Sequence, residues 1–141
     1  MRFIRTGVRD GKSCVIEEID LTASPAGQVG MRTVLEAVPA ELPARPAGAG
    51  EFMALPIAPG AVSWFRVWFP PSSDHAMDGM HHTDTFDCLT IVAGSTELLL
   101  DDGAHRLLPG DSAIVAGVDH GWRTGPEGCV MSSVIFGTPA P

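Results

Sequence analysis

At 141 residues the chain is long enough to bury a core in one domain without disulfides or a structural metal. Apolar residues make up 45% and charged ones 18%, with 16 Gly and 12 Pro, a balance that favours many short, turn-linked strands over helices. The net charge of −8 argues against a basic surface for nucleic acid or an anionic membrane, so the acidity is read as serving solubility.

Arg2 to Thr6 and Ser13 to Ile19 are β-rich pieces around an Arg9-Asp10-Gly11-Lys12 turn, which predicts an opening hairpin. Leu21 to Gly30 reads as a loop. Met31 to Val38 fits a helical stripe (Met31, Val34, Leu35, Val38) and also an alternating one (Met31, Thr33, Leu35, Ala37); Pro39 directly after it favours a strand. Ala40 to Gly50, with Pro43, Pro46, Gly48 and Gly50, predicts a mobile loop but no domain boundary, because too few residues precede it to make a core.

Ala61 to Phe69 predicts a strand with Val62, Trp64, Arg66 and Trp68 on one face and Ser63, Phe65, Val67 and Phe69 on the other. Both faces are largely apolar, so the expectation is a strand buried on both sides or packed against a partner chain. Pro70-Pro71-Ser72-Ser73-Asp74 ends it, and a polar loop leads to Gly79.

Two histidine-bearing segments follow, Gly79 to Asp87 and Val115 to Thr124. In an extended strand His81, Thr83, Thr85 and Asp87 share one face, while His82, Asp84 and Phe86 share the other. Leu89 and Ile91 continue the first face, and Ala93-Gly94-Ser95 reads as a turn. Thr96 to Leu100 then returns, Asp101-Asp102-Gly103 turns again, and Ala104 to Leu108 forms the next strand. Pro109-Gly110-Asp111 ends that strand, Ser112 to Val115 makes another, and a turn at Gly117 delivers His120 in phase with Trp122 and Thr124. Antiparallel strands joined this way can fold His120 back toward His81 and Asp87. Two imidazoles and a carboxylate are a ligand set for open Fe, Mn, Ni or Zn sites.

At these residues the chain resembles the cupin superfamily, in its small conserved-barrel form. The signatures of that family are G-x5-H-x-H-x3,4-E-x6-G and G-x5-P-x-G-x2-H-x3-N. Counting back from Gly94 puts Asp87 in the carboxylate position and His81 and Thr83 in the two histidine positions; Gly110, Val115, Gly117, His120 and Thr124 fill the second signature. Thr83, Asp87, Val115 and Thr124 depart from the His, Glu, Pro and Asn of the family pattern. Where a cupin with the full set binds metal through three His and one Glu, this chain offers His81, His120 and Asp87. A local bulge would swing His82 inward in place of His81.

The resemblance implies an all-β cupin double-stranded β-helix, a jelly-roll barrel of antiparallel strands with little helix. It implies a single domain over residues 1–141, with N-terminal strands and loop in 1–60 and the barrel core with both motifs in 61–137. It further implies a divalent metal held by His81, Asp87 and His120, with Thr83, Thr85, Trp122 and Thr124 lining a pocket for a small, rather apolar, oxygen-bearing molecule. The activity would be that of a metal-dependent isomerase, decarboxylase, lyase or dioxygenase, with His82 or a cavity threonine as proton relay. The alternative is a metal-free cupin that binds a small molecule without catalysis, or an accessory dimer.

Each residue has a plainer role beside the functional one. Asp87 could ligate directly, act through water, orient an imidazole, or accept hydrogen bonds from Thr83 or Thr85. Trp122 could wall the pocket or simply fill the core. Cys14, Cys88 and Cys129 are widely scattered with no C-x-x-C pair, which suggests a reducing compartment. Met1 to Thr6 lacks the apolar run of a signal peptide, so a cytoplasmic protein is expected. No basic helix-turn-helix segment is evident. By family analogy the N-terminal arm crosses to a second subunit, making a homodimer the default expectation.

Overall fold

The computed structural model describes residues 1–21, 49–74 and 79–139. The expected element at 31–38, most of the loop to Gly50 and the polar loop at 75–78 lie outside the described residues. The opening hairpin consists of β1 (Arg2–Arg9) and β2 (Lys12–Asp20), closed by the pair Arg9 and Lys12. Asp10 and Gly11 both take positive φ, 52° and 75°, which is the twist a two-residue hairpin turn requires and which Asp and Gly tolerate best.

The strands that follow are β3 (Glu51–Phe52), β4 (Val62–Phe69), β5 (His81–His82), β6 (Thr85–Leu100), β7 (Gly103–Leu107), β8 (Ser112–Val115) and β9 (Gly121–Gly137). One sheet runs β2-β1-β8-β6-β9-β4 with β7 also on β6, and β3 pairs β5 in a second, small sheet. The result is an all-β fold with no helix among the described residues, and hence none long and apolar enough to cross a membrane. Most pairings are antiparallel, but β1 with β8 and β3 with β5 are parallel, so the sheet is mixed rather than wholly antiparallel as expected. No tight turn joins either of those pairs, and so nothing local dictates an antiparallel approach.

The predicted turn at Ala93-Gly94-Ser95 is not one. Here β6 continues without a break, and its register on β9 slips between Ile91 and Ala93 and again between Gly94 and Thr96. Gly94 has φ 72°, and a Cβ there would collide with the carbonyl oxygen of Gly128. Small, turn-favouring residues therefore serve a bulge that bends a long strand around the barrel. The inward face changes parity across it, from Leu89 and Ile91 to Thr96, Leu98 and Leu100, all buried.

Ile4, Leu89, Ile91, Leu98, Leu107, Val115, Val118, Trp122 and Met131 form the main core. Phe3, Phe86 and Ile114 bury a second cluster on the other face of the sheet. On β4 the expectation of two covered faces fails in this chain. Val67 and Phe69 pack on the core, whereas Trp64 is 80% and Trp68 69% exposed. β1 pairs β8 of its own chain through Phe3, Ile4 and Arg5, and β2 forms the edge of the sheet.

Candidate functional site

The two histidine segments meet. His81 and His120 exchange backbone hydrogen bonds, N–H to carbonyl, at 3.0 and 2.8 Å, so they stand directly opposite each other on adjacent antiparallel segments. Their rings lie 4.4 Å apart and tilted by 56°. His120 is buried, and its Nδ1–H donates to the Val118 carbonyl oxygen at 2.8 Å, which leaves Nε2 as a bare acceptor. Burial first, and then neighbouring His81, hold the His120 imidazole down at about 4, so it is neutral near neutral pH. Trp122, next on the same face, meets the His120 ring edge-on at 6.0 Å.

Asp87 enters from β6, flanked by Val115 on one side and Ile135 on the other. Those apolar neighbours explain its chemistry. Burial pushes its carboxyl up to about 6, partly offset by a hydrogen bond from Thr85. Its Oδ1 is buried and has no hydrogen-bond partner among the described residues. Thr83 and Thr85 share a hydroxyl hydrogen bond of 2.8 Å beside it.

His81, Thr83, Asp87 and His120 all line one half-open cavity of about 350 Å³, whose other walls are mostly apolar: Met53, Leu55, Val67, Phe69, Trp122 and Ile135 among them. Phe69 stacks near Trp122 at 6.2 Å. Ser133 adds one hydroxyl. Among the described residues no Lys or Arg lines this space.

Three of the expected site residues sit elsewhere. His82 does not face the cavity, because strand alternation turns it away from His81. Its Nδ1 hydrogen-bonds Asp119 Oδ1 at 2.9 Å, with both side chains buried. Thr85 lines a neighbouring depression with Ile57, Pro59 and Thr138, since residues 83–84 interrupt the strand between β5 and β6. Thr124 donates to the Pro70 carbonyl oxygen at 2.7 Å and accepts from Ser73 N–H at 3.0 Å, tying down the loop after β4. It lies two residues beyond Trp122, past the cavity.

Asp119 is the residue that sequence reasoning passed over. It takes His82 on one oxygen and the Gly50 N–H on the other, at 2.8 Å. A Cβ at Gly50 would come within 2.8 Å of Asp119 Oδ1, so only glycine fits there without displacement. The bond anchors the strand at Glu51–Phe52, and Met53 N–H donates to the His82 carbonyl at 2.9 Å. Met53 and Leu55 are thereby held as cavity wall. A signal was available: once His81 is set opposite His120, the antiparallel count sets His82 opposite Asp119.

The donor set does not complete the three-ligand site expected of it. Among the described residues no group of three His, Cys, Asp or Glu side chains converges closely enough to hold a metal ion. The His81 and His120 rings lie 4.4 Å apart, and Asp87 lines the same cavity.

The described strands thus form an all-β fold in which the two histidine segments are paired beside one cavity. No protein-family model and no curated protein matches it. Solved structures do. An HTH_3 family transcriptional regulator from Vibrio cholerae is 14% identical, with a TM-score of 0.47, over 57% of this chain and 44% of that one. A sugar phosphate isomerase from a cupin superfamily, from Silicibacter pomeroyi, is 24% identical with a TM-score of 0.39, over 55% and 50%. The Cupin_2 domain of an XRE family transcriptional regulator from Enterobacter cloacae is 20% identical with a TM-score of 0.36, over 58% and 75%. The matched part of this chain spans half or less of the length of the first two.

Proposed function

We propose that this chain is a cupin that binds a small, rather apolar, oxygen-bearing molecule inside the barrel, with His81, His120 and Asp87 meeting the polar end of that molecule. The observation that carries this reading is the placement of those three groups in a cavity whose remaining walls are mainly apolar. Asp87, with a carboxyl near 6, and the bare Nε2 of His120 are the groups able to hold or move a proton there. That no three such donors converge among the described residues supports the metal-free form of this reading. Elemental analysis of protein purified without chelator or His-tag tests it. Below about 0.2 metal per chain, with no uptake on adding Fe(II), Mn(II), Ni(II) or Zn(II), agrees with it; near-stoichiometric metal contradicts it.

A metal-dependent isomerase, decarboxylase, lyase or dioxygenase is the second reading. The contact between two imidazoles and the unpartnered Oδ1 of Asp87 favour it. The ion would be held by His81 and His120, would polarise an oxygen of the substrate, and would draw further ligands from that substrate or water. Retention of metal by the wild type and its loss in His120→Ala would establish this reading.

The unpaired state of Cys14, Cys88 and Cys129 supports a reducing, cytoplasmic setting. A homodimer would cover the open face of Val62, Trp64 and Trp68 on β4. Light scattering on wild type and on Trp64→Ser/Trp68→Ser tests this: a dimer that the double change dissociates supports it, and a wild-type monomer rejects it.

A further inference from the structure

The cavity carries an electrostatic asymmetry that goes beyond its size. Among the described residues its polar lining groups are His81, Thr83, Asp87, His120 and Ser133, with no Lys or Arg side chain. A backbone carbonyl can only accept, so the bond from His120 Nδ1 to Val118 oxygen fixes the proton on Nδ1 and turns Nε2 into a lone-pair acceptor. Asp87 adds a second acceptor, the buried Oδ1 that has no hydrogen-bond partner among the described residues. An unsatisfied buried oxygen costs free energy until a donor reaches it. An anion brought to the same place would meet a carboxylate and a nitrogen lone pair, with no Lys or Arg among the described lining residues to offset them. A volume of about 350 Å³ has room for on the order of ten non-hydrogen atoms, at the ~30 Å³ a water molecule takes in the liquid. Phe69 and Trp122, stacked 6.2 Å apart, give an aromatic or aliphatic body a wall to lie against.

We infer that the cavity selects an uncharged molecule with a hydroxyl to donate, an alcohol or phenol of about ten non-hydrogen atoms, and rejects carboxylates and phosphate esters of the same body. This rests on the reading that the barrel holds a small molecule, and it names which chemical class that molecule belongs to. The donor hydroxyl goes to Asp87 Oδ1 or His120 Nε2, and the apolar body goes toward Trp122 and Phe69.

Four probes sharing one body test it by calorimetric titration at pH 8: 4-ethylphenol, its methyl ether 4-ethylanisole, 4-ethylbenzoate and 4-ethylphenyl phosphate. The phenol is expected to bind at least about tenfold more tightly than the ether, which cannot donate, and than either anion. In Asp87→Asn, which keeps the side-chain shape and removes the charge, the margin of phenol over benzoate is expected to shrink by about tenfold. Equal or tighter binding of benzoate or the phosphate ester overturns the selectivity while leaving a small-molecule cavity in place. Equal binding of phenol and ether overturns the donor requirement. Failure of all four to bind overturns the cavity reading itself, and with it this inference.

Discussion

Replacing Asp87 with asparagine removes a charge from an apolar surround and leaves the shape almost unchanged, so its effect on stability should depend on pH in a defined way. In the folded protein burial raises the Asp87 carboxyl from 3.8 to about 6. The folded state therefore holds this proton more tightly than the unfolded state. Its contribution is fully present below 3.8 and is lost as pH rises through about 6. A shift of about two units at 1.36 kcal/mol each makes the loss about 3 kcal/mol. His120 works in the opposite sense. Burial lowers it from 6.5 to about 4, so its contribution is present above 6.5 and lost as pH falls through 4, again by about 3 kcal/mol. The two windows overlap and their slopes oppose, which predicts a nearly flat wild-type profile between pH 4 and 6.5 from this pair. Asp87→Asn removes one slope and keeps the other. The variant should exceed wild type by up to about 3 kcal/mol at pH 8, match it near pH 3.5, and show the acid loss of His120 openly. Urea unfolding followed by tryptophan fluorescence across this range measures it. A variant no more stable than wild type at pH 8, or equally favoured at pH 8 and pH 3.5, refutes the claim that burial sets the Asp87 proton.

Asp119→Ala leaves His82 Nδ1 and the Gly50 N–H without their buried partner and should cost about 3 kcal/mol in urea unfolding, with faster proteolysis near residues 50–55 as a second readout. Asp119→Asn, which can still accept from Gly50, should recover part of that loss. Gly94→Ala forces a side chain onto the Gly128 carbonyl at φ 72° and should destabilise by at least about 2 kcal/mol. Leu98→Ala opens a cavity at a fully buried position and should cost about 3 kcal/mol by the same unfolding assay.

Much of this architecture was legible in the chain because it is written in local rules. Asp10-Gly11 made a hairpin turn, and Val62 to Phe69 alternated as a strand. Bulges defeated the same rules. Gly94 looked like the apex of a turn because glycine reports positive φ, and positive φ serves a bulge in a continuous strand equally well. Thr124 followed His120 at the right spacing for a pocket residue, but its hydroxyl is consumed by the Pro70 and Ser73 backbone, a contact between segments that no short window contains. His82 was weighed as a rival to His81, and the pairing with Asp119 decides which way it points. The parallel approach of β1 to β8 joins residues more than a hundred positions apart and left no local trace.

The central claim is that His81, Asp87 and His120 look into a space that a small uncharged molecule fills. Ser133 is buried on β9, paired with Leu89 of β6, and lines that space, so Ser133→Phe plugs it while leaving all three in place. Calorimetric titration of 4-ethylphenol into wild type and Ser133→Phe, with circular dichroism to verify that both are folded, tests the claim most directly. Binding to wild type that falls by at least about tenfold in the plugged variant is the predicted result. Equal binding to both proteins, or none to wild type, contradicts it.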